Sequence, residues 1–508
     1  MAEPYYITTA INYPNGRPHI GHAYEAIAAD AIARFQRQQG RDVRFQTGTD
    51  EHGLKMVQTA RDRGVETRAL ADEMSGYFQE MATGLNISCD RFIRTSEPEH
   101  YAASQAIWRA MADAGDLYLD RYEGWYSVRD EAFYEEKELC DGEGGQKLSP
   151  QGTPVEWTAE ETWFFRLSKY QQPLLDHYAA NPEFIAPESR RNETMRFVEG
   201  GLRDLSVSRT SFDWGVPVPG SPGHVMYVWV DALTNYLTGL GYPDQNGDYA
   251  KYWPADLHLI GKDIVRFHAV YWPAFLMSAK LPLPKQVFGH GFILNRGEKI
   301  SKSAGNGITD PIELAELYGV DSLRYFLLRE VSFGNDGSFS DEAIVTRSNA
   351  DLANGLGNLA QRCLSIIAKN CDGIVPAPDA DVLEPHVGRL AEHVIELMNA
   401  LEINEALEAI WEAVRTLNGY FADMAPWSLR KTDPAMADAV LYHTAEHVRQ
   451  VAILVRWAIP ASADALLDLL GQGDARDFAA LSTPLVPGTK LPPPSGIFPR
   501  LELQAADA

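Results

Sequence analysis

Long hydrophobic runs are missing from this chain. No stretch of about 18 apolar residues occurs in its 508 positions, so no membrane-spanning helix is expected. Cysteine is scarce: four residues (Cys89, Cys140, Cys363, Cys371), scattered and without Cys-x-x-Cys spacing, suit reduced thiols in a cytoplasmic protein. The start, MAEPYYITTAI, lacks the basic and apolar regions of a signal peptide. Positive charge is in deficit, with 45 Lys and Arg against 70 Asp and Glu and a net charge of −25. That argues against a blanket attraction to nucleic acid or anionic membranes. It leaves room for a local basic patch that binds nucleic acid selectively, with the global charge suppressing non-specific contacts. No solenoid repeat is visible. What is present is an ordinary soluble composition, 45% apolar, in a chain long enough for roughly two to four domains.

Tyr5 to Ile11 read as a strand, and a Pro-Asn-Gly turn follows. From Ile20 apolar residues recur at helical spacing (Ala23, Ile27, Ala31, Phe35) until Gly40. The run DVRFQTGTD then predicts a second strand, giving a right-handed strand–helix–strand unit. Between about Gly115 and Gly223 the texture turns aromatic and mixed-charge, as expected of an inserted domain, before α/β patterning returns at HVMYVWVDALTNY. Asp310, Pro311 and Gly319 bracket a helix as cap, first turn and stop. From Ser348 the pattern is helical, with an apolar seam on Leu352, Leu356, Leu359, Cys363 and Ile366 that predicts a helix bundle. The proline-rich end, STPLVPGTKLPPPSGIFPRLE, predicts an extended tail.

Two motifs carry chemistry. His19 and His22 flank Gly21 at the junction of the first strand and its helix. A parallel sheet binds ligands at that edge, and a helix N-terminus favours anions, so two imidazoles there suit phosphate. Two histidines that merely cap the helix are an equal alternative on these residues alone. The second motif, GEKISKS, puts Lys299 and Lys302 three apart beside a glycine. Such a loop can close on polyphosphate and neutralise charge, although alone it reads more readily as a solvated basic loop.

Together the motifs resemble the two signatures of class I aminoacyl-tRNA synthetases, with KISKS in place of KMSKS through Ile300. The stretches ITTAINYPNGRPHIGHAYE, TGTDEHGLK, YVWVDALTNY, IGKDIVRFHAVYWPAFL and FILNRGEKISKS, with NLAQR and APW further on, are similar in order and spacing to the methionyl-tRNA synthetases across nearly the whole chain.

The resemblance implies an α/β fold: a Rossmann-like catalytic domain (1–114 and 225–295) split by a connective insertion (115–224), a region of the KISKS loop and tRNA-stem contact (296–347), an α-helical anticodon-binding bundle (348–480) and an extended tail (481–508). It implies methionine–tRNA ligation with ATP and Mg²⁺, on initiator and elongator methionine tRNA. His19 and His22 would stabilise phosphates, Lys299 and Lys302 would clamp the leaving pyrophosphate, and Gly21, Asp263 and Ser301 would lie near ATP. Asp50 would hold the methionine ammonium. The side-chain pocket would consist of Ala10, Ile11, Tyr13, Trp229, Ala232, Leu233, Tyr236, Phe267, His268 and Trp272, an apolar and aromatic set suited to a thioether, with Leu233 where the family often has proline. Asn358 and Arg362, four apart on one helix face, and Trp427 would read the CAU anticodon. Some family members carry a four-cysteine zinc knuckle; here Ser127 and Asp130 stand at one Cys-x-x-Cys pair and Cys140 is the one cysteine of the insertion, so no zinc is expected. A monomer in the cytoplasm is expected, because the sequence stops at Ala508 without the appended oligonucleotide-binding domain through which some bacterial relatives dimerise. A ligase for another apolar amino acid and a non-catalytic tRNA-binding paralogue are the alternatives; the pocket set opposes the first, and His19, His22, Asp50, Lys299 and Lys302 oppose the second. Homocysteine differs from methionine by one methyl carbon, worth only about 1–3 kcal/mol, so editing is expected.

Overall fold

Tyr5 to Thr9 are buried on both faces, the environment of a central strand in a parallel sheet covered by helices. The computed structural model that shows this describes residues 2–127, 132–142, 145–295, 298–299, 310–378 and 389–503, without the side chains of Tyr122, Ala132, Phe133, Ala159, Glu160, Asn295, Glu298 and Lys299. The main sheet has six strands, all parallel: β1 (Pro4–Thr9), β2 (Asp42–Thr49), β3 (Arg91–Arg94), β4 (Ile185–Ala186), β5 (Leu257–Gly261) and β6 (Val287–His290). Their spatial order is β3-β2-β1-β5-β6-β4. The chain winds outward from β1 in one direction and from β5 in the other, so the carboxyl ends of β1 and β5 flank a topological switch point, the ligand crevice of such sheets.

The stretch expected as an insertion contributes a four-stranded antiparallel sheet from Leu117–Ser127, Ala132–Tyr134, Glu156–Phe165 and Leu205–Ser206. It also returns β4 to the edge of the main sheet, where Ile185 and Ala186 pair with Val287 and Phe288.

Helix α1 (Ile20–Gln38) is buried around most of its circumference, because alanines at 23, 26, 28, 29, 31 and 33 let neighbours approach from several sides. Further on in the chain come α2 (Pro98–Asp113), α3 (Val228–Thr238), α4 (Trp272–Ser278) and α5 (Val320–Glu330). A buried hub ties α1 to the carboxyl half of the chain. Arg324 on α5 donates to Asp30 of α1 at 2.6 Å, to the Leu85 carbonyl at 3.2 Å and to the Ala458 carbonyl at 3.0 Å. Burial works against the Asp30 charge, but the Arg324 and Arg34 guanidiniums and Ser88 outweigh it and hold its carboxyl below the usual range.

The helix expected between Asp310 and Gly319 spans Pro311–Tyr318, with the Asp310 side chain accepting from Ile312 and Glu313. Beyond a π-helical stretch, Ser348–Gly357, the bundle comprises α6 (Asn358–Asn370), α7 (Leu390–Asn399), α8 (Ile403–Met424), α9 (Pro426–Thr432), α10 (Pro434–Val455) and α11 (Pro460–Leu469). Its seam ends on Ile367, fully buried, not on the half-buried Ile366; a step of four from Cys363 keeps to the core face of α6. The extended tail runs back over the bundle: Val375 donates to the Thr489 carbonyl, Leu491 to that of Gly373, and Leu501 exchanges hydrogen bonds with the Asn349 side chain.

Candidate active site

His19 is the N-cap of α1, and the two motif histidines complete a capping box. The Gly21 amide donates to His19 Nδ1 at 3.1 Å and the His19 amide to His22 Nδ1 at 3.0 Å. Their rings stack, with centroids 3.9 Å apart. A Cβ on residue 21 would lie 2.9 Å from the His19 ring, so glycine lets that ring fold back over the helix start. The capping and ligand readings are therefore compatible. Because both Nδ1 atoms accept, each neutral ring carries its proton on Nε2, a donor at the carboxyl edge of β1.

Across the switch point stands the aromatic wall. Trp229 of α3 stacks on Phe267 with centroids 3.8 Å apart and planes 5° from parallel. Tyr236 of α3 lies 5.7 Å from His268 and 6.1 Å from Trp272, ring to ring. Ala232, Leu233, Tyr236, His268 and Trp272 are buried, and Trp229 and Phe267 partly so. Ala10 joins them within one core, while Ile11 and Tyr13 continue from β1, half-buried, with the Lys55 ammonium 5.8 Å from the Tyr13 ring centroid. The proton order is settled by geometry: His268 Nδ1 donates to the Ile264 carbonyl at 3.0 Å, so its Nε2 accepts the Tyr236 hydroxyl at 2.6 Å. Burial pushes His268 down to about 4, only partly offset by that carbonyl, and lowers buried His258 as well. The wall is polar at two points yet uncharged, which suits an uncharged side chain.

Asp50 is buried just past β2, its amide bonded to the Asn12 carbonyl at 2.8 Å, so it sits beside the chain leaving β1. The next two residues anchor its loop from opposite sides. Glu51 accepts from Arg94 at 2.6 and 3.0 Å and from Ser96 and Thr49. His52 bonds Asp231 of α3 at 2.6 Å. Trp214, from the insertion, donates its indole N–H to the Glu51 carbonyl at 2.6 Å and accepts the Gly53 amide. Sequence reasoning missed Glu51, His52, Asp231, Arg94 and Trp214. The available signal was that Glu51 and His52 adjoin Asp50 in TGTDEHG and that Asp231 lies within YVWVDALTNY.

Asp263 is exposed directly after β5. Near it, at the end of β6, His290 meets two acceptors, Glu25 Oε2 and the Gly291 carbonyl, each at 2.8 Å. Burial disfavours its charge, but Glu25 overrides that and raises the imidazole pKa, and the His290–Glu25 contact ties the root of the KISKS segment to α1. Lys299 pairs through its backbone with Leu294, its side chain undescribed; Ile300, Ser301 and Lys302 lie outside the described residues.

Far along the chain, Asn358 is exposed on α6, and Arg362 one turn later places its guanidinium 5.2 Å from the Trp427 ring centroid and 5.1 Å from that of Phe421. Trp427 is the second residue of α9, after the left-handed Ala425 and Pro426, and is 44% exposed. The structure thus brings Arg362 and Trp427 together on an accessible face. Among the described residues no group of three His, Cys, Asp or Glu is placed to hold a metal ion. The Ser127 and Ser149 hydroxyls lie 2.7 and 2.8 Å from that of Thr153; Asp130 lies outside the described residues.

Comparison with known proteins gives a consistent result. Residues 5–364 match the family described as tRNA synthetases class I (M), and residues 375–507 match the anticodon binding domain of methionyl tRNA ligase. The chain is 61% identical over 506 residues to the methionine–tRNA ligase of Brucella suis, covering 98% of each, and 60% identical over 511 residues to that of Mycobacterium tuberculosis, also covering 98% of each. Its fold is similar, with a TM-score of 0.96 at 59% identity over 98% of this chain and 100% of the other, to the M. tuberculosis methionyl-tRNA synthetase in complex with methionyl-adenylate. The same enzyme's apo form gives 0.90 at 56% identity, over 99% of each chain.

Proposed function

The chain belongs to the methionine–tRNA ligases of class I, and from that membership we propose how its residues divide the reaction. It activates L-methionine with ATP to methionyl-adenylate, and the acyl group then passes to the 3′ end of methionine tRNA. In the first step a methionine carboxylate oxygen attacks the α-phosphorus and pyrophosphate leaves; in the second a terminal ribose hydroxyl takes the acyl group and AMP leaves.

Little covalent work falls to the side chains, so orientation and charge stabilisation dominate. Asp50 holds the ammonium. The wall of Ala10, Ile11, Tyr13, Trp229, Ala232, Leu233, Tyr236, Phe267, His268 and Trp272 receives the thioether, and its neutral Tyr236–His268 pair supports an uncharged occupant. His19 and His22 donate from Nε2 to phosphate oxygens as charge builds in the transition state; the observation that carries this role is the occupation of both Nδ1 atoms by backbone amides. Gly21 leaves room for the nucleotide, Asp263 stands at its edge, and Lys299, Ser301 and Lys302 close on the departing pyrophosphate. Mg²⁺ would be held chiefly by ATP phosphates, as is usual for that ion, and would supply further neutralisation there. The accessible face of Asn358, Arg362 and Trp427 reads the anticodon of initiator and elongator methionine tRNA alike. We read the protein as a cytoplasmic monomer, a location that four scattered cysteines suit, and as zinc-free, because the single cysteine of the insertion, Cys140, cannot build a tetrahedral thiolate site. Among the described residues no helix is long and apolar enough to cross a membrane.

The Lys302→Ala variant tests the division. ATP–pyrophosphate exchange should slow while methionine binding, followed by intrinsic fluorescence, stays normal. An undiminished exchange rate would remove the KISKS loop from the chemistry.

A further inference from the structure

The site as assigned leaves the buried carboxylate of Asp231 without a task. Asp231 is on α3, two residues after Trp229 and directly before Ala232 and Leu233. It is fully buried, and each of its oxygens takes one imidazole nitrogen at 2.6 Å: Oδ2 from His52 Nδ1, Oδ1 from His100 Nε2. The two histidines come from different elements. His52 follows Asp50 by two positions in the loop after β2, and His100 is in the first turn of α2. The remaining ring nitrogens close the circuit. His52 Nε2 meets the Tyr101 hydroxyl of α2 at 3.0 Å, and His100 Nδ1 meets Thr238, two turns along α3 from Asp231, at 2.9 Å. Three elements are thus locked to one another, α3 at both of its ends.

Stability alone does not explain such a group. A buried carboxylate forfeits its hydration, and hydrophobic packing of similar volume often serves stability as well or better. What a carboxylate between two imidazoles adds is direction, since its planar oxygens fix the angle and distance at which both partners approach. Here one partner carries Asp50 and the carboxylate itself carries the aromatic wall. On the other side of the loop, Glu51 is pinned by Arg94 and Ser96 of the β3 end, so Asp50 has no independent freedom to adjust.

We propose that Asp231 is a positioning residue for methionine: through His52 and His100 it sets the span between the ammonium-binding Asp50 and the side-chain wall of α3. The proposal rests on the reading of Asp50 and that wall given above. It accounts for His52 and Asp231, which lie within TGTDEHGLK and YVWVDALTNY, the stretches that also hold Asp50 and Trp229.

The test is ATP–pyrophosphate exchange with Asp231→Asn, in which an amide N–H faces one imidazole N–H. The methionine KM should rise about 10- to 100-fold, the scale of a lost hydrogen bond to a charged group, while ATP KM and saturated kcat stay within about twofold. As an inhibitor, the deaminated analogue 4-methylsulfanylbutanoate should lose little, because it does not bridge Asp50 and the wall. If Asp231→Asn fails to fold, the His52 pair carries the test: His52→Asn, whose amide reaches the place of Nδ1, should keep methionine KM near that of the unaltered protein, and His52→Leu should raise it. Equal increases in methionine and ATP KM, a fall in kcat alone, or identical behaviour of the two His52 variants would overturn the proposal. Asp50→Asn separates it from the reading beneath: an unchanged methionine KM in that variant removes the ammonium assignment and the proposal with it, whereas a raised KM there with an unchanged one in Asp231→Asn removes the positioning role alone.

Discussion

The catalytic half and the helix bundle hold the residues proposed for function in opposite ways. Around the switch point most are buried or half-buried, in surroundings joined across long stretches of chain, as in Thr8 with His258, Glu25 with His290, and His52 with Asp231. In the bundle, Asn358, Arg362 and Trp427 ride the outer surface of helices whose seams face inward. A parallel sheet forces the first arrangement, because neighbouring strands are distant in sequence and every crossover passes through a helix. A bundle permits the second, because one helix face packs and the other remains available. The two halves should therefore fail differently: a change in the first propagates through shared partners, and a change in the second stays with the tRNA.

The largest expected effect sharpens that contrast. His22→Ala should lower adenylate formation by about 10²–10³ with methionine KM close to normal, the scale of one lost charge-stabilising donor. A variant that loses only melting temperature would return both histidines to plain caps. Next comes acid sensitivity. His268 has a folded pKa of about 4 against an ordinary 6.5, so between those values the unfolded chain takes up a proton that the folded chain refuses. Stability is full above pH 6.5 and falls as the pH drops toward 4, by about 3 kcal/mol from this group. Buried His258 adds to the loss in the same direction. Urea midpoints measured across that window should fall steeply for the unaltered chain and less so for His268→Gln; parallel curves would refute the neutral Tyr236–His268 pair. Trp427→Ala should weaken charging of methionine tRNA by about 1–3 kcal/mol in kcat/KM, the worth of one stacked base, with exchange and melting temperature nearly unchanged. Equal losses in charging and exchange would erase the distinction between the halves. The smallest effect belongs to Arg415→Ala, which removes an exposed bundle pair with Glu408 and should change stability by less than about 0.5 kcal/mol.

Local rules were legible wherever a few consecutive residues suffice. Asp310, Pro311 and Gly319 bracket their helix as read, and Gly21 sits where the His19 ring folds back. Periodicity placed the bundle seam and erred at Ile366 by one residue, since both Ile366 and Ile367 fit an apolar stripe and only packing separates them. The two-residue strand Ile185–Ala186 carries too little pattern to be seen, although it completes the main sheet. Glu51, His52 and Asp231 were not visible, because their partners are Arg94, Ser96 and His100, far along the chain.

What the sequence by itself determined is placement tied to short spacing: imidazoles at a strand–helix junction, an asparagine and an arginine one helical turn apart. Backbone geometry converts such spacing directly into proximity, so no knowledge of the rest of the chain is needed. What only the tertiary structure decided is which charges are buried and with whom. Asp231 reads as an ordinary helix carboxylate until the sheet order brings His52 and His100 to its two oxygens, and His22 reads as ligand or cap until its Nδ1 is seen to take a backbone amide. Burial and pairing are properties of the whole fold, because the cost of a buried charge depends on every element that excludes water from it.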